Sequence, residues 1–455
     1  MLLVSVGLVI PQVGKEFVSK SPSFAVMALY VGLLVGALSC GFLVDLIGRR
    51  LVWIMSLFLV SIFTMICAAA PNFAALCVFI VLQAIAGGGN IAIDLTVFCE
   101  FLPKKNRYLM TALASMWGVG NTLGGLLAWP LIANYSCSND ATPADCARLK
   151  NMGWRYQYIT VGGFCLVMAL ARVFLFRMEE SPRWLAAQGR LDSAYEALAR
   201  VARLNKSSII LQHDRPPPPH VEISTLSRRS LSPQHRDKFA VLHHVKGLFE
   251  NPKIARSSVG VFFLWMGIGI AYPVYTLFLP AYLSSKGAKL GDGSVYVTYR
   301  DYTISSTVGI FGPILSGFLV QLKFLGRRRS MTVTACCAAA FAIAFTTAKT
   351  EAQNIAFSSM INFWQNAYYG ILYAYTPEVM PLSNRGTGCG MAVAFGRLAS
   401  ITSPLVAIYG NTSTSAPLWV CCGLYFAMAA VALFLPFEPE HYYAQEDQLD
   451  QEMLN

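Results

Sequence analysis

Charge is scarce in this chain. Asp, Glu, Lys and Arg make up only 13% of its 455 residues, and histidine occurs 6 times. A soluble protein of this length would need far more polar surface, and an intrinsically disordered one would need far less apolar content. No cluster of His, Cys, Asp and Glu has metal-ligand spacing, so no metal site is expected. No nucleophile motif and no phosphate-cradling loop stand in the sequence. An enzyme and a cofactor-binding protein are therefore not expected. Gly87-Gly88-Gly89 lies inside an apolar run, where it permits close helix packing and not anion binding. The net charge of +11 raises nucleic acid as a partner, but the placement of the basic residues argues against it.

What the chain has is apolar length. The residues AVILMFWYC make up 55% of it, arranged in runs of roughly 20 residues between short polar breaks. Each such run can cross a hydrocarbon layer of ~30 Å as a helix, with its backbone groups satisfied internally. The lipid bilayer is thus the first expected partner. Most of the 35 Lys and Arg fall on alternate loops if both termini face the cytosol, which sets the orientation by the positive-inside bias. Ten of the 12 cysteines lie in apolar runs and read as small buried residues. Cys137 and Cys146 share one outer loop, where they form a disulfide in an oxidising space or stand as two free thiols.

The order of segments predicts four parts. Residues 1–176 form a first membrane bundle. Residues 177–256 form a central cytoplasmic segment with short amphipathic helices and a disordered linker. Residues 257–436 form a second bundle, and 437–455 a cytoplasmic tail. Met1 to Val13 reaches only about 20 Å as a helix and is expected to be the outer end of a truncated first helix. Helices two to six are expected near 23–44, 51–70, 73–101, 109–133 and 156–176. Helices seven to twelve are expected near 257–278, 302–322, 331–348, 355–375, 388–409 and 418–436. In the central segment Ser181-Pro182 marks a helix start, and Leu191, Tyr195, Leu198 and Ala202 are expected to share a buried face. Asn134-Tyr-Ser136 and Asn411-Thr-Ser413 are glycosylation sequons on expected outer loops. Ser230 and Ser232 are expected phosphorylation sites, following Arg228-Arg229 in a polar stretch.

Two motifs recur at one offset. Glu100, Pro103 and Arg107 are matched by Glu378, Pro381 and Arg385, 278 positions later, and Gly48-Arg49-Arg50 by Gly326-Arg327-Arg328 at the same separation. An internal duplication at a fixed offset marks two pseudo-equivalent halves with a solute site between them.

The stretch Gly41-Phe-Leu-Val-Asp45-Leu-Ile-Gly48-Arg49-Arg50 resembles the signature turn of the major facilitator superfamily. Glu180-Ser-Pro-Arg-Trp-Leu185 and the paired E-x-x-P-x-x-x-R endings are similar to its sugar-porter and organic-ion branches. Gly89-Asn-Ile-Ala-Ile-Asp94 with Phe98-Cys-Glu-Phe-Leu-Pro103 resembles a fungal branch related to synaptic-vesicle glycoproteins. The resemblance implies an all-α membrane protein of two six-helix bundles that transports a small solute by alternating access. Two departures stand out. Lys323 occupies the second-half position of Asp45. Phe437-Glu-Pro-Glu-His441 replaces the P-E-T-K-G ending of sugar porters.

Asp45, Arg49, Arg50, Glu100 and Arg107, with Arg327, Glu378 and Arg385 in the second half, are expected to form conformational locks through charge-assisted bonds. The bland alternative is that the cations only anchor the topology. Asp94 lies about 9 Å deeper than Glu100 and about 120° around the helix. A carboxylate there acts as a proton carrier or as a structural partner for another helix. Arg397 lies about 18 Å along its helix from Arg385, near the midplane, and its fork suits a carboxylate. Its position resembles the one where organic-anion carriers place an arginine. The alternative is a buried partner for Asp94. Trp364, Gln365 and Asn366 in helix ten, Asn121 in helix five and Tyr272 in helix seven are the other expected solute contacts. Any one aromatic can equally be bulk packing. The expected function is proton-coupled transport of a small organic anion by a monomer in the plasma membrane. A facilitator of a neutral or sugar-like solute and a non-transporting receptor are the alternatives.

Overall fold

The structure, a computed structural model, describes residues 1–17, 21–101, 108–137, 145–175, 180, 182, 185, 190–204, 248–249, 251–290, 294–322, 324–380, 385–410, 414–436 and 438. At 41–42, 44–47, 91–101, 108, 204, 286–290, 385–387, 407 and 410 it describes the backbone alone. Ser230, Ser232, Arg107, Asn411 and Lys323 lie outside the described residues, as do the side chains of Asp45, Asp94, Glu100 and Arg385.

Every regular element among the described residues is helical. The first half contains α1 (Leu2–Glu16), α2 (Phe24–Ile47), α3 (Arg49–Cys67), α4 (Phe73–Phe101), α5 (Tyr108–Leu113), α6 (Ser115–Asn134) and α7 (Gly153–Phe174). The central helix α8 covers Leu191–Leu204. The second half contains α9 (Pro252–Thr276), α10 (Leu279–Leu290), α11 (Val295–Gly309), α12 (Phe311–Leu319), α13 (Gly326–Thr346), α14 (Glu351–Val379), α15 (Arg385–Ser400), α16 (Ser403–Gly410) and α17 (Ala416–Leu433). Among the described residues, 8 segments are long and apolar enough to cross a membrane by length and composition. The 29-residue α14 is long enough but carries Asn354, Asn362, Gln365 and Asn366, which lower its hydropathy.

Helices five, eight and eleven were expected to be continuous, and each is divided. At Ile310 and at Ile401–Thr402 the cause is a proline three or two positions on. Pro313 and Pro404 lack an N–H and crowd the carbonyls of Gly309 and Ser400. The helix starts are capped where polar breaks supply acceptors. Asn251 accepts from the Lys253 N–H at 3.0 Å with Pro252 at the first helical position, and Ser294 and Thr350 cap α11 and α14 in the same way.

Side chains from both halves meet at one end of the bundle. Val4, Leu8 and Val13 of α1 belong to the same buried cluster as Tyr275, Leu277, Tyr282, Tyr299 and Phe345. This is the end that carries the loop closed by the Cys137–Cys146 disulfide, whose Cα atoms are 6.0 Å apart. The second large cluster, built around Trp265, Ala335, Tyr368 and Tyr425, draws only on residues from 248 onward. The halves therefore pack together at the disulfide end, and toward the other end α5 also meets α12 and α14.

Helix α8 forms where amphipathicity predicts a helix, but with a different buried face. Ala194 and Ala197 pack with Leu185, while Leu191 and Leu198 are exposed. Two small alanines one turn apart let a neighbour approach closely, which the bulkier residues would prevent.

Candidate functional site

The end opposite the disulfide holds the repeated turns. Gly48 and Gly326 both take positive φ, at 97° and 58°, the left-handed region that glycine enters without a Cβ penalty. Each turn presents the first backbone N–H groups of a helix. The Glu180 carboxylate accepts from the Arg49 and Arg50 N–H groups at 2.9 and 3.2 Å. In the second half the Glu438 carboxylate accepts from the Arg327 and Arg328 N–H groups at 2.5 and 3.4 Å. A carboxylate at a helix N-terminus satisfies orphan donors and complements the helix dipole. A Cβ on Gly326 would lie 2.6 Å from the Glu438 oxygen, which the flexible carboxylate can relieve by shifting, so it is the positive φ that calls for glycine.

Arg327 and Glu378 are brought together. Nη2 of Arg327 donates to Oε1 of Glu378 at 2.6 Å, and Nε lies 2.5 Å from Oε2, with the two side chains only 10% and 5% exposed. The pair joins α13 to α14, two helices of the same half. Arg49 stands 51 positions before Glu100 as Arg327 stands before Glu378, so the duplication supplies the same residue types at the same spacing.

A second buried pair, absent from the expected set, closes the disulfide end. Arg155 grips Glu16 with two bonds of 2.7 and 2.8 Å, and Trp154 Nε1 donates to the same carboxylate at 2.9 Å. The Arg155 guanidinium also lies 4.1 Å over the Trp154 ring. Asn151 adds a fourth donor at 3.3 Å. This buried charge is fully compensated and ties α1 to α7.

The pocket lies between these two ends. Trp265, Ile268, Gly269, Tyr272 and Pro273 of α9 form one wall, Tyr369 of α14 another, and Val393, Gly396, Arg397 and Ser400 of α15 a third, with Tyr30 of α2 beside them. It holds about 280 Å³ of free space, counted out to its open mouth. Gly269 and Gly396 let α9 and α15 touch backbone to backbone, since a Cβ at 269 would sit 2.3 Å from the Gly396 carbonyl oxygen. That crossing carries Arg397 to the aromatic face of α9. No carboxylate among the described residues lies within ion-pair reach of its guanidinium.

Of the expected solute contacts, Arg397 and Tyr272 line this pocket. Asn121 reaches it through Tyr272, donating to its hydroxyl at 3.3 Å. Trp364, Gln365 and Asn366 do not line it. Gln365 is spent on packing: its amide donates to Thr276 at 2.8 Å and its oxygen accepts from Tyr425. Asn366 is 4% exposed and packs at Gly309, where α11 and α14 meet. Trp364 stacks edge-on against Phe363. For Gln365 the reason is its level along the helix, where Thr276 and Tyr425 take its amide, since it shares a face with the residue one turn on. On α14 the residue one turn beyond Gln365, Tyr369, faces the pocket and touches Trp117, Trp265 and Tyr272. Of the other expected sites, Asn134 is exposed at the end of α6.

Two halves packed against each other, repeated charged turns at one end and a pocket between the ends define a membrane carrier. A family model for the Major Facilitator Superfamily matches residues 3–404, and the chain belongs to that family. The MFS siderochrome iron transporter 1 of Ceriporiopsis subvermispora is 38% identical over 438 residues, covering 95% of this chain and 83% of that one. The niacin transporter of Acinetobacter baylyi is 26% identical over 381 residues, covering 83% of this chain and 75% of that one. The proton:xylose symporter XylE, solved with 6-bromo-6-deoxy-D-glucose, matches with a TM-score of 0.64 across 97% of both chains at 15% identity, a likeness of fold. The protein is a multi-pass membrane transporter and not an enzyme.

Proposed function

We propose that this transporter carries a small organic anion, with a flat or ring-bearing monocarboxylate as the best fit, and that a proton travels with it. The observation that supports this most is the guanidinium of Arg397 facing a pocket walled by Trp265, Tyr272 and Tyr369. One fixed cation without a carboxylate in reach among the described residues asks for one anionic group, and its planar fork matches a carboxylate at two points. The aromatic walls offer stacking to a ring. A fixed positive charge in the pocket disfavours an organic cation. The name of the bacterial niacin relative agrees with a carboxylate cargo, and that of the fungal siderochrome relative points to another.

In this reading Asp94 carries the proton. Anion binding at Arg397 cancels a positive charge whose field otherwise favours the ionised acid, and Asp94 takes up a proton in response. The carrier is proposed to act as a monomer in the plasma membrane, with both termini and the repeated turns on the cytosolic side. The test is uptake into proteoliposomes, under an imposed proton gradient, of radiolabelled nicotinate, benzoate, a quaternary ammonium ion, xylose and an iron–siderochrome complex. Gradient-driven accumulation of a carboxylate supports the proposal. Accumulation of only the cation, the sugar or the siderochrome refutes it, and binding without accumulation marks a receptor.

A further inference from the structure

The pocket residues come almost entirely from one half of the protein. Ten of the eleven lie on α9, α14 and α15, and the remaining one is Tyr30 on α2. A carrier that closes around its cargo needs the cargo to touch both halves, since otherwise occupancy has no grip on their relative position. We propose that Tyr30 is the first half's ligand to the anion: its phenolic O–H donates to the same carboxylate that Arg397 holds. This rests on the anion reading given above.

The geometry carries the assignment in three steps. Tyr30 is 4% exposed overall, yet it lines the pocket beside Arg397. Its hydroxyl has no hydrogen-bond partner among the described residues. Other buried tyrosines show what a structural role looks like here. Tyr275 donates to the Ser358 carbonyl at 2.9 Å and Tyr299 to the Leu8 carbonyl at 2.5 Å, and neither lines the pocket. Tyr158, Tyr282, Tyr302 and Tyr368 leave their hydroxyls unpaired, but those are sealed in packing away from the pocket. Tyr30 alone among these combines a donor to spare, a place in the pocket and an origin in the opposite half.

The stoichiometry of the carboxylate also fits. An ionised carboxylate has about four acceptor sites, and a two-point arginine uses two of them. The remaining two are free for phenolic donors, and Tyr30 and Tyr369 are both placed to supply one. A neutral amide of the same shape offers one carbonyl acceptor and no charge, and so gains less from that arrangement. The bound anion then links α2 to α15 across the interface between the halves, so the closed state is stabilised only when the site is filled. Tyr30 thereby selects for charge and ties occupancy to closure.

The experiment uses the purified full chain and benzoate, with benzamide as its uncharged counterpart. Thermal stabilisation is titrated for the wild type, Tyr30→Phe and Tyr30→Met, the two variants differing in how they fill the space but both lacking the donor. Removing a hydrogen bond to a charged group should weaken benzoate binding about tenfold to a hundredfold in both. The response to benzamide, whose carbonyl accepts only an uncharged hydrogen bond, should fall by less than the response to benzoate. Tyr30→Trp, which keeps a ring donor, should recover part of the loss. If either donor-free variant binds benzoate as the wild type does, Tyr30 is a packing residue and the proposal falls. An equal loss for benzamide overturns it too, because the effect would then be steric. A wild type that ignores benzoate refutes the anion reading itself, and Tyr30's assignment with it.

Discussion

Cutting the Arg327–Glu378 pair by Glu378→Ala should be among the most damaging single changes in the second half. The two side chains are 10% and 5% exposed and joined at two points, so water does little to screen them. Removing the carboxylate leaves the Arg327 guanidinium an uncompensated buried charge, which costs about 3–5 kcal/mol. Replacing both with apolar residues of similar size, Arg327→Met with Glu378→Leu, should restore most of that loss, because the desolvation of both charges disappears together. The assay is equilibrium unfolding in detergent of the wild type, both single variants and the double variant, read as a double-mutant cycle. The expected coupling is at least about 2 kcal/mol. Because the pair joins α13 to α14 within one half, the loss should appear as stability and only secondarily as a change in transport. Single variants within about 1 kcal/mol of the wild type, the scale of an exposed pair, would refute the buried-pair account.

Three other outcomes follow from the same geometry. Gly326→Ala should destabilise by about 1–2 kcal/mol, the cost of a left-handed backbone for an L-residue, and the shift imposed on the Glu438 carboxylate should add to it; a melting curve in detergent checks this. Cys137→Ser should lower stability at the disulfide end, by about 2–3 kcal/mol for so short a loop, and a reducing agent should reproduce the shift in the wild type but not in the variant. Asp94→Asn should keep anion binding and exchange but lose accumulation driven by a proton gradient, measured as uptake at pH 5.5 and 7.5; concentrative uptake by this variant would make Asp94 a structural partner instead.

The fold class was legible because the bilayer demands it. Runs of apolar residues with a duplicated E-x-x-P-x-x-x-R and G-R-R leave few architectures that satisfy every backbone group. Breaks within helices were less legible. Pro313 and Pro404 were in view, but a proline in a membrane helix is often absorbed without a break, and only the packing around it decides. Arg397 and Tyr272 were readable from depth and residue type. Gln365 misled for the same reason that Arg397 did not. An amide in an apolar run needs a partner, but Thr276 and Tyr425 serve as well as a solute does. Depth along a helix follows from counting, whereas the direction a side chain faces depends on which neighbour is there.

Glu180 and Glu438 carried a partial signal, since both follow the last helix of their half. What could not be read was that their carboxylates bond backbone N–H groups, which have no residue type to recognise. The Glu16–Arg155 pair joins residues 139 positions apart with no motif around either. Tyr30 was hidden among apolar neighbours in α2, where a lone aromatic is nearly always bulk.

The central claim is that Arg397 is the counter-charge of an anionic cargo, and uptake of radiolabelled benzoate into proteoliposomes by Arg397→Gln and Arg397→Lys tests it most directly. Loss of a buried charged hydrogen-bond pair costs about 2–5 kcal/mol, so Arg397→Gln should bind and carry the carboxylate at least about thirtyfold less well. Arg397→Lys should recover only part, because an ammonium keeps the charge but not the two-point fork. Wild-type uptake of benzoate by Arg397→Gln, at the same protein density and proton gradient, would contradict the account.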